Sequence, residues 1–126
     1  IGAINITKVP KAPHYILGVI NLRGKIIPVV DLRLKLGMHA REFDRKTCFI
    51  VVNTVIKGNE VALGIVVDTV REVVNFAASQ IQPPPDFGCS VDTSFIMGIG
   101  QVDKNVVILL DIDKALEDAA GALAGF

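Results

Sequence analysis

Apolar positions in this chain fall in short runs broken by turn residues, with few stretches at helical spacing. Val19 to Leu22 and Lys25 to Val30 are two runs separated by Arg23-Gly24, which predicts a tight hairpin in which Gly24 takes the unusual dihedral. Pro28 lies inside the second run and demotes it to an edge strand or a bulge, because proline has no N–H to give a ladder. Thr47 to Val55 and Val61 to Asp68, joined by a turn at 57–60, form the clearest hairpin. Val70 to Phe76 continues extended, and Phe95 to Val102 with Val106 to Leu110 makes another hairpin around a turn at 103–105.

Helix signals are few. Leu32, Leu34 and Leu36 alternate like a strand, yet Asp31 is a good N-cap and Gly37 a good stop, so a short helix is expected near 31–36. Asp111 to Asp113 caps a short C-terminal helix, and residues 38–46 are polar and unpatterned, hence a loop. Pro83, Pro84 and Pro85 forbid helix interior and central strand alike. They lack a PxxP frame, so a stiff connection is favoured over a polyproline ligand, and they mark where two small barrels could meet. Short strands, regular turns and no βαβ alternation predict a mainly β protein, a barrel or sandwich, with no visible repeat or linker.

Composition narrows the class. At 126 residues the chain is one ordinary domain, and 51% apolar residues exclude a disordered tail or a fibre. With six Phe, one Tyr and no Trp, the apolar mass is aliphatic, which suits pleated surfaces. No run approaches the ~18 residues of a membrane helix and no leader pattern is present, so direct membrane insertion is not expected and a soluble, intracellular protein is. Cys48 and Cys89 are too far apart for CxxC chemistry and read as reduced structural thiols. Residues 1–46 hold nine bases and three acids, the remainder four bases and ten acids. Such a split suits oriented contact with protein partners, and the scarcity of aromatics among the bases argues against nucleic acid.

No catalytic constellation is found, and the chain is expected not to be an enzyme. His14 and His39 lack a ligand at metal spacing, no Ser lies in a GxSxG elbow, and Gly98-Ile99-Gly100 is a lone GxG within a hairpin. Asp111 and Asp113 are better explained by capping than as a carboxylate pair. Neither a cofactor nor a metal is implied. What stands out is Arg23, a long cationic side chain at the tip of an apolar hairpin, framed by Asn21 and Gly24.

Asn21-Leu22-Arg23-Gly24 is followed by Ile26-Ile27-Pro28-Val29-Val30-Asp31-Leu32-Arg33 and preceded by Val9-Pro10, Pro13 and Gly18-Val19-Ile20. Gly64 to Val70, Ile81 to Pro85, Phe95 to Gly100 and Ile108 to Ile112 follow in order. Nearly the whole chain, through these separated motifs, resembles the CheW family, the coupling proteins of bacterial chemotaxis.

The resemblance implies a single CheW-like domain over 1–126 built of two small SH3-like β-barrels, a non-enzymatic scaffold. Its implied partners are chemoreceptor cytoplasmic tips and the regulatory domain of the histidine kinase CheA, in the cytoplasm at receptor arrays. Asn21, Leu22, Arg23 and Gly24 are then expected at or beside a receptor-facing groove, with Gly18 and Gly64 nearby for close backbone approach. Val66, Val70 and Val73 are candidate contacts for a receptor helix, barrel core being the competing assignment. The family's opening strands, which end in an acidic residue near the motif's arginine, are absent ahead of Ile1. The chain is then either an incomplete barrel, whose uncovered edge gives a possible strand-exchanged homo-oligomer with residues 1–30 crossing between chains, or a fragment of a longer protein. A CheW-like module of a CheA-type kinase is the alternative, although residues 119–126 read as a natural terminus and favour the free adaptor.

Overall fold

The computed structural model describes residues 5–56, 58–85 and 94–122. In chain order the elements are β1 (Ile16–Leu22), β2 (Lys25–Asp31), α1 (Leu32–Lys35), β3 (Cys48–Ile56), β4 (Asn59–Val67), β5 (Ile96–Val102), β6 (Asn105–Leu110) and α2 (Ile112–Ala122). The three hairpins, the short helix after Asp31 and the helix after Asp111 are where the residue pattern puts them. Val70 to Phe76, in contrast, joins no strand ladder, and Cys89 and residues 123–126 lie outside the described residues.

Two compact units divide the chain. The first runs to Arg71 and takes in the chain from Glu117 onward; the second is Glu72–Leu116. The prolines therefore sit inside the second unit and do not mark its boundary.

In the first unit the strands lie in the order β1-β2-β4-β3. β1 and β2 are antiparallel, as are β3 and β4, but β2 and β4 run parallel through Val29–Gly64, Val30–Ile65 and Asp31–Val66. Pro28 ends at the point where that parallel ladder begins. Its missing N–H is therefore needed by no neighbour on the β4 side, and the second half of β2 is central where the sequence suggested an edge. On the outer side of β1, Thr7 and Val19 exchange both backbone hydrogen bonds, at 2.9 and 2.8 Å. Ile20, Ile27, Val29 and Val66 pack together with Ile6, Leu17, Phe49 and Ala62 against them. Val29, Val30 and Leu63 are fully buried, each worth about 1.5–3 kcal/mol of transfer free energy.

In the second unit β5 and β6 form an antiparallel pair. Gln82 bridges to Ile99 beside it, in the same way that Thr7 bridges to Val19.

The structure contains a repeat that the sequence reading missed. Every β1–β2 pairing recurs in β5–β6 eighty residues on, from Ile16–Val30 and Ile96–Leu110 to Leu22–Lys25 and Val102–Asn105. Both hairpins break register just before a glycine, Gly18 or Gly98. Both turns start with a non-glycine residue at positive φ, Arg23 at 53° and Asp103 at 54°. Both end in an aspartate whose N–H donates to the residue before the hairpin, Asp31 to Tyr15 and Asp111 to Phe95. That aspartate then caps a helix: Asp31 Oδ1 accepts from the Leu34 N–H and Asp111 Oδ1 from the Lys114 N–H.

Candidate functional site

Leu22 and Lys25 pair directly, so Arg23-Gly24 is a two-residue loop, with φ of 53° and 84°. Positive φ at both positions is the type I′ geometry that matches the twist of a hairpin. Gly24 adopts it freely, whereas Arg23 does so at a cost of about 1 kcal/mol. Asn21 Oδ1 accepts from the Gly24 N–H at 2.9 Å and locks the turn. All four residues of the motif are exposed, and Arg23 has no ion pair among the described residues. A strained, rigid tip thus projects one free guanidinium.

The other expected site residues divide between core and surface. Gly18 and Gly64 both pair with Val29, so they share one row across the sheet. Their small size serves the chain's own packing. A Cβ on Gly18 would strike the Thr7 carbonyl, and one on Gly64 would enter the Phe49 ring. Val66 is 3% exposed and belongs to the core, so its side chain supports the barrel and offers no surface to a partner. Val70 and Val73, at 53% and 92% exposed, do present apolar surface. Topology separates these groups. The hairpin tip is at the start of β2, while Val66 lies opposite Asp31 at the end of the parallel β2–β4 pair. Six residues of strand, about 20 Å, intervene between the two ends.

At the end of β4 is a charge network the sequence did not reveal. Arg33 of α1 donates from Nη1 to Asp68 Oδ2 at 2.9 Å and from Nε to the His39 carbonyl at 3.1 Å. Arg41 reaches Asp68 at 3.5 Å and Asp44 at 3.3 Å. Asp44 in turn accepts from the Lys46 and Thr47 N–H groups just ahead of β3. The Lys46 N–H foremost holds the Asp44 carboxyl below its ordinary value; desolvation opposes it, and the Arg41 charge and the Thr47 donors add smaller lowering effects. Arg33 and Arg41 gave no signal in sequence beyond being basic residues in and near a polar loop. Only the fold brings Asp68, 35 positions away from Arg33, to them.

The second unit carries a shallow cleft of about 420 Å³ lined by Ser79, Gln80, Gln82, Ile99, Gln101 and Val106, among others. Among the described residues no group of His, Cys, Asp and Glu is placed to hold a metal ion, and no helix is long and apolar enough to cross a membrane.

A rigid β framework that displays an isolated charge and apolar surface, with its polar network spent on holding a loop, defines a protein-docking scaffold. A CheW-like domain matches residues 1–120. A chemotaxis protein CheW of Klebsiella aerogenes is 38% identical over 122 residues, covering 97% of this chain and 71% of the relative. One from Thermotoga maritima is 38% identical over 117 residues, covering 90% of this chain and 71% of the relative. The crystal structure of the scaffolding protein TtCheW from Thermoanaerobacter tengcongensis superposes with a TM-score of 0.75 at 37% identity, covering 93% of this chain and 77% of that one. This chain belongs to the CheW family, and its mainly β architecture of two SH3-like barrel units is the family's.

Proposed function

We propose that this chain is a non-enzymatic adaptor of chemotaxis signalling, coupling the cytoplasmic tips of chemoreceptors to the regulatory domain of the histidine kinase CheA. The chemotaxis scaffold role follows from the family; the two named partners and a cytoplasmic place of action at receptor arrays are the further step. The observation that carries it is the I′ turn, where a strained arginine is fixed by its neighbours and left without an ion pair among the described residues. Strain retained at an exposed position that packing does not require is characteristic of a contact site. Arg23, with Asn21, Leu22 and Gly24 shaping its turn, addresses the receptor; Val70 in the first unit and Val73 in the second are separate exposed apolar positions for a receptor helix. Gly18, Gly64 and Val66 hold the framework behind them. Self-association by strand exchange through residues 1–30 is a further partner state, supported by the outer side of β1, where among the described residues only Thr7 bridges to Val19.

The test is reconstitution with purified receptor tips and kinase. ATP turnover should rise only when all three proteins are present, which also separates a free adaptor from a kinase-derived module. Arg23→Ala should abolish that rise while changing stability by less than about 0.5 kcal/mol. Lys at this site should restore it poorly, since an ammonium lacks the guanidinium fork. Full activation by the alanine variant would falsify the assignment.

A further inference from the structure

We propose that Asp68 is a positioning residue for receptor contact. Clamped by Arg33 and Arg41, it fixes the direction in which the chain leaves β4, and so sets where Val70, two residues on, presents its side chain. The inference rests on the receptor-coupling role proposed above and gives Val70 a mount of its own, separate from the Arg23 turn.

The need for such a mount follows from where the ladders stop. β4 pairs with β2 as far as Asp31–Val66 and with β3 as far as Cys48–Val67. Beyond Val67, no backbone hydrogen bond is made from Thr69 to Phe76 among the described residues, and Thr69, Val70 and Arg71 are exposed. A segment without backbone partners is ordinarily loose, and a contact carried on it loses chain entropy when a partner orders it. Val70 is β-branched and stiff at χ1, so what remains to be fixed is its backbone.

Asp68 is the last held residue before Val70. Its Oδ2 accepts from Arg33 Nη1 at 2.9 Å, and Arg41 Nη1 stands 3.5 Å from the same oxygen. Arg33 is itself fixed, because Nε donates to the His39 carbonyl and its helix starts at Asp31, whose Oδ1 accepts from the Leu34 N–H. Asp31 is in turn the register partner of Val66. A closed circuit results: Val66 across the ladder to Asp31, along α1 to Arg33, across the ion pair to Asp68, and back along the chain. Asp68 is thereby held by both its backbone and its carboxylate, which sets the course of the residues after it. The two arginines contribute unequally. Arg33 is 23% exposed and Arg41 53%, so the Arg33 bond is less screened and carries most of the hold.

Stability alone is a poor account of the clamp. The pairing of β4 is complete before Asp68, and an ion pair exposed to this degree adds little to folding. What it can supply is preorganisation of the exit from β4, which lowers the cost of ordering an apolar contact on binding.

The experiment titrates the full chain with a soluble receptor-tip fragment and records a urea melt for each variant. Asp68→Ala should weaken binding about fivefold with little change in the urea midpoint, and should lower the backbone order parameters of Thr69, Val70 and Arg71. Asp68→Asn keeps an acceptor oxygen and should fall between Asp68→Ala and the parent. The decisive readout is a double-mutant cycle. Val70→Ala should weaken the parent about fivefold but the Asp68→Ala chain less than about twofold, whereas Arg23→Ala should cost the same factor in both backgrounds. If Asp68→Ala folds poorly, Arg41→Gln removes only the weaker half of the clamp; it should cost about twofold and show the same dependence on Val70. Parent-like binding by the clamp variants, or losses at Asp68 and Val70 that simply multiply, overturns the assignment. If Arg23→Ala weakens binding and Val70→Ala does not, the receptor reading stands and the positioning role fails. A parent chain that does not bind the fragment overturns the receptor reading itself, and the positioning role with it.

Discussion

The hairpins β1–β2 and β5–β6 are two versions of one design, and their fates differ. Register for register they match over an offset of eighty residues, down to the bulge before a glycine, the positive φ at the first turn residue and the aspartate that starts a helix. In the first, β2 finds β4 as a parallel neighbour, and Ile16, Ile20, Ile27, Val29 and Val30 become buried. In the second, among the described residues no further strand joins the pair, and Met97, Val106 and Ile108 stay exposed. Where the first hairpin has Ile20 filling the core, the second has Gly100, over which Phe76 lies. Local chemistry fixes the hairpin; burial depends on which strand the chain later supplies. The turns differ too. Asp103 tolerates the left-handed region that Arg23 enters under strain, so only the first hairpin retains a conformational cost at its tip.

The largest test of this equivalence is at the paired glycines. Gly18→Ala places a Cβ against the Thr7 carbonyl at a φ of 146°, combining backbone strain with a clash that no side chain can relieve. A loss of about 4 kcal/mol is expected. Gly98→Ala meets the Ile81 methyl at 2.6 Å and the Gln82 carbonyl at 2.7 Å without positive φ, for a loss of about 2 kcal/mol. Urea melts of the two variants should keep that order. Next is the difference in burial: Leu63→Ala should cost about 3 kcal/mol and Ile108→Ala less than about 1, and equal costs would mean that the second hairpin is covered after all. Smaller still, Arg23→Gly should relieve the turn by about 0.5 kcal/mol while removing receptor coupling, whereas Asp103→Gly should leave stability nearly unchanged. A destabilised Arg23→Gly chain would show that the side chain, and not the backbone, holds the tip.

Much of this was legible in the residues, for reasons that are themselves local. Arg23-Gly24 between apolar runs, Asp31 before Leu32 and Asp111 before Ile112 each specify their turn or cap through neighbours a few positions away. The repeat was not legible. Over positions 15–31 and 95–111 only the Ile16, Gly18 and Asp31 identities recur, while the remaining positions keep size and polarity at most. Nor was the parallel β2–β4 pair, since a crossover through β3 leaves no periodic signal. The candidate site divided the same way. The Arg23 tip follows from sequence, but whether Val66 is core or surface depended on Asp31 facing it across a non-local ladder. Asp68 shows no role until the fold brings Arg33 and Arg41 to it.

Among the described residues, the charge network around Asp68 belongs to the first hairpin alone: the helix after Asp31 is four residues long and leads into a pinned loop, while the helix after Asp111 runs from Ile112 to Ala122. That difference has a pH signature. Asp44 has its folded-state value lowered from the ordinary 3.8, chiefly by the Lys46 N–H. A depressed carboxylate contributes its stabilisation in full above the unfolded value and loses it as pH falls through the folded one. The Asp44 turn should therefore stay intact from neutral pH down to 3.8 and loosen only below that, a small effect because the group is solvent-exposed. Amide shifts of Lys46 and Thr47 followed from pH 6 to 2 measure it directly. Their common midpoint should fall below 3.8 and vanish in Asp44→Asn, which keeps an acceptor oxygen but has no charge to titrate. A midpoint at or above 3.8 would mean that the backbone donors do not hold the carboxylate in solution, and that the turn ahead of β3 owes nothing to the charge of Asp44.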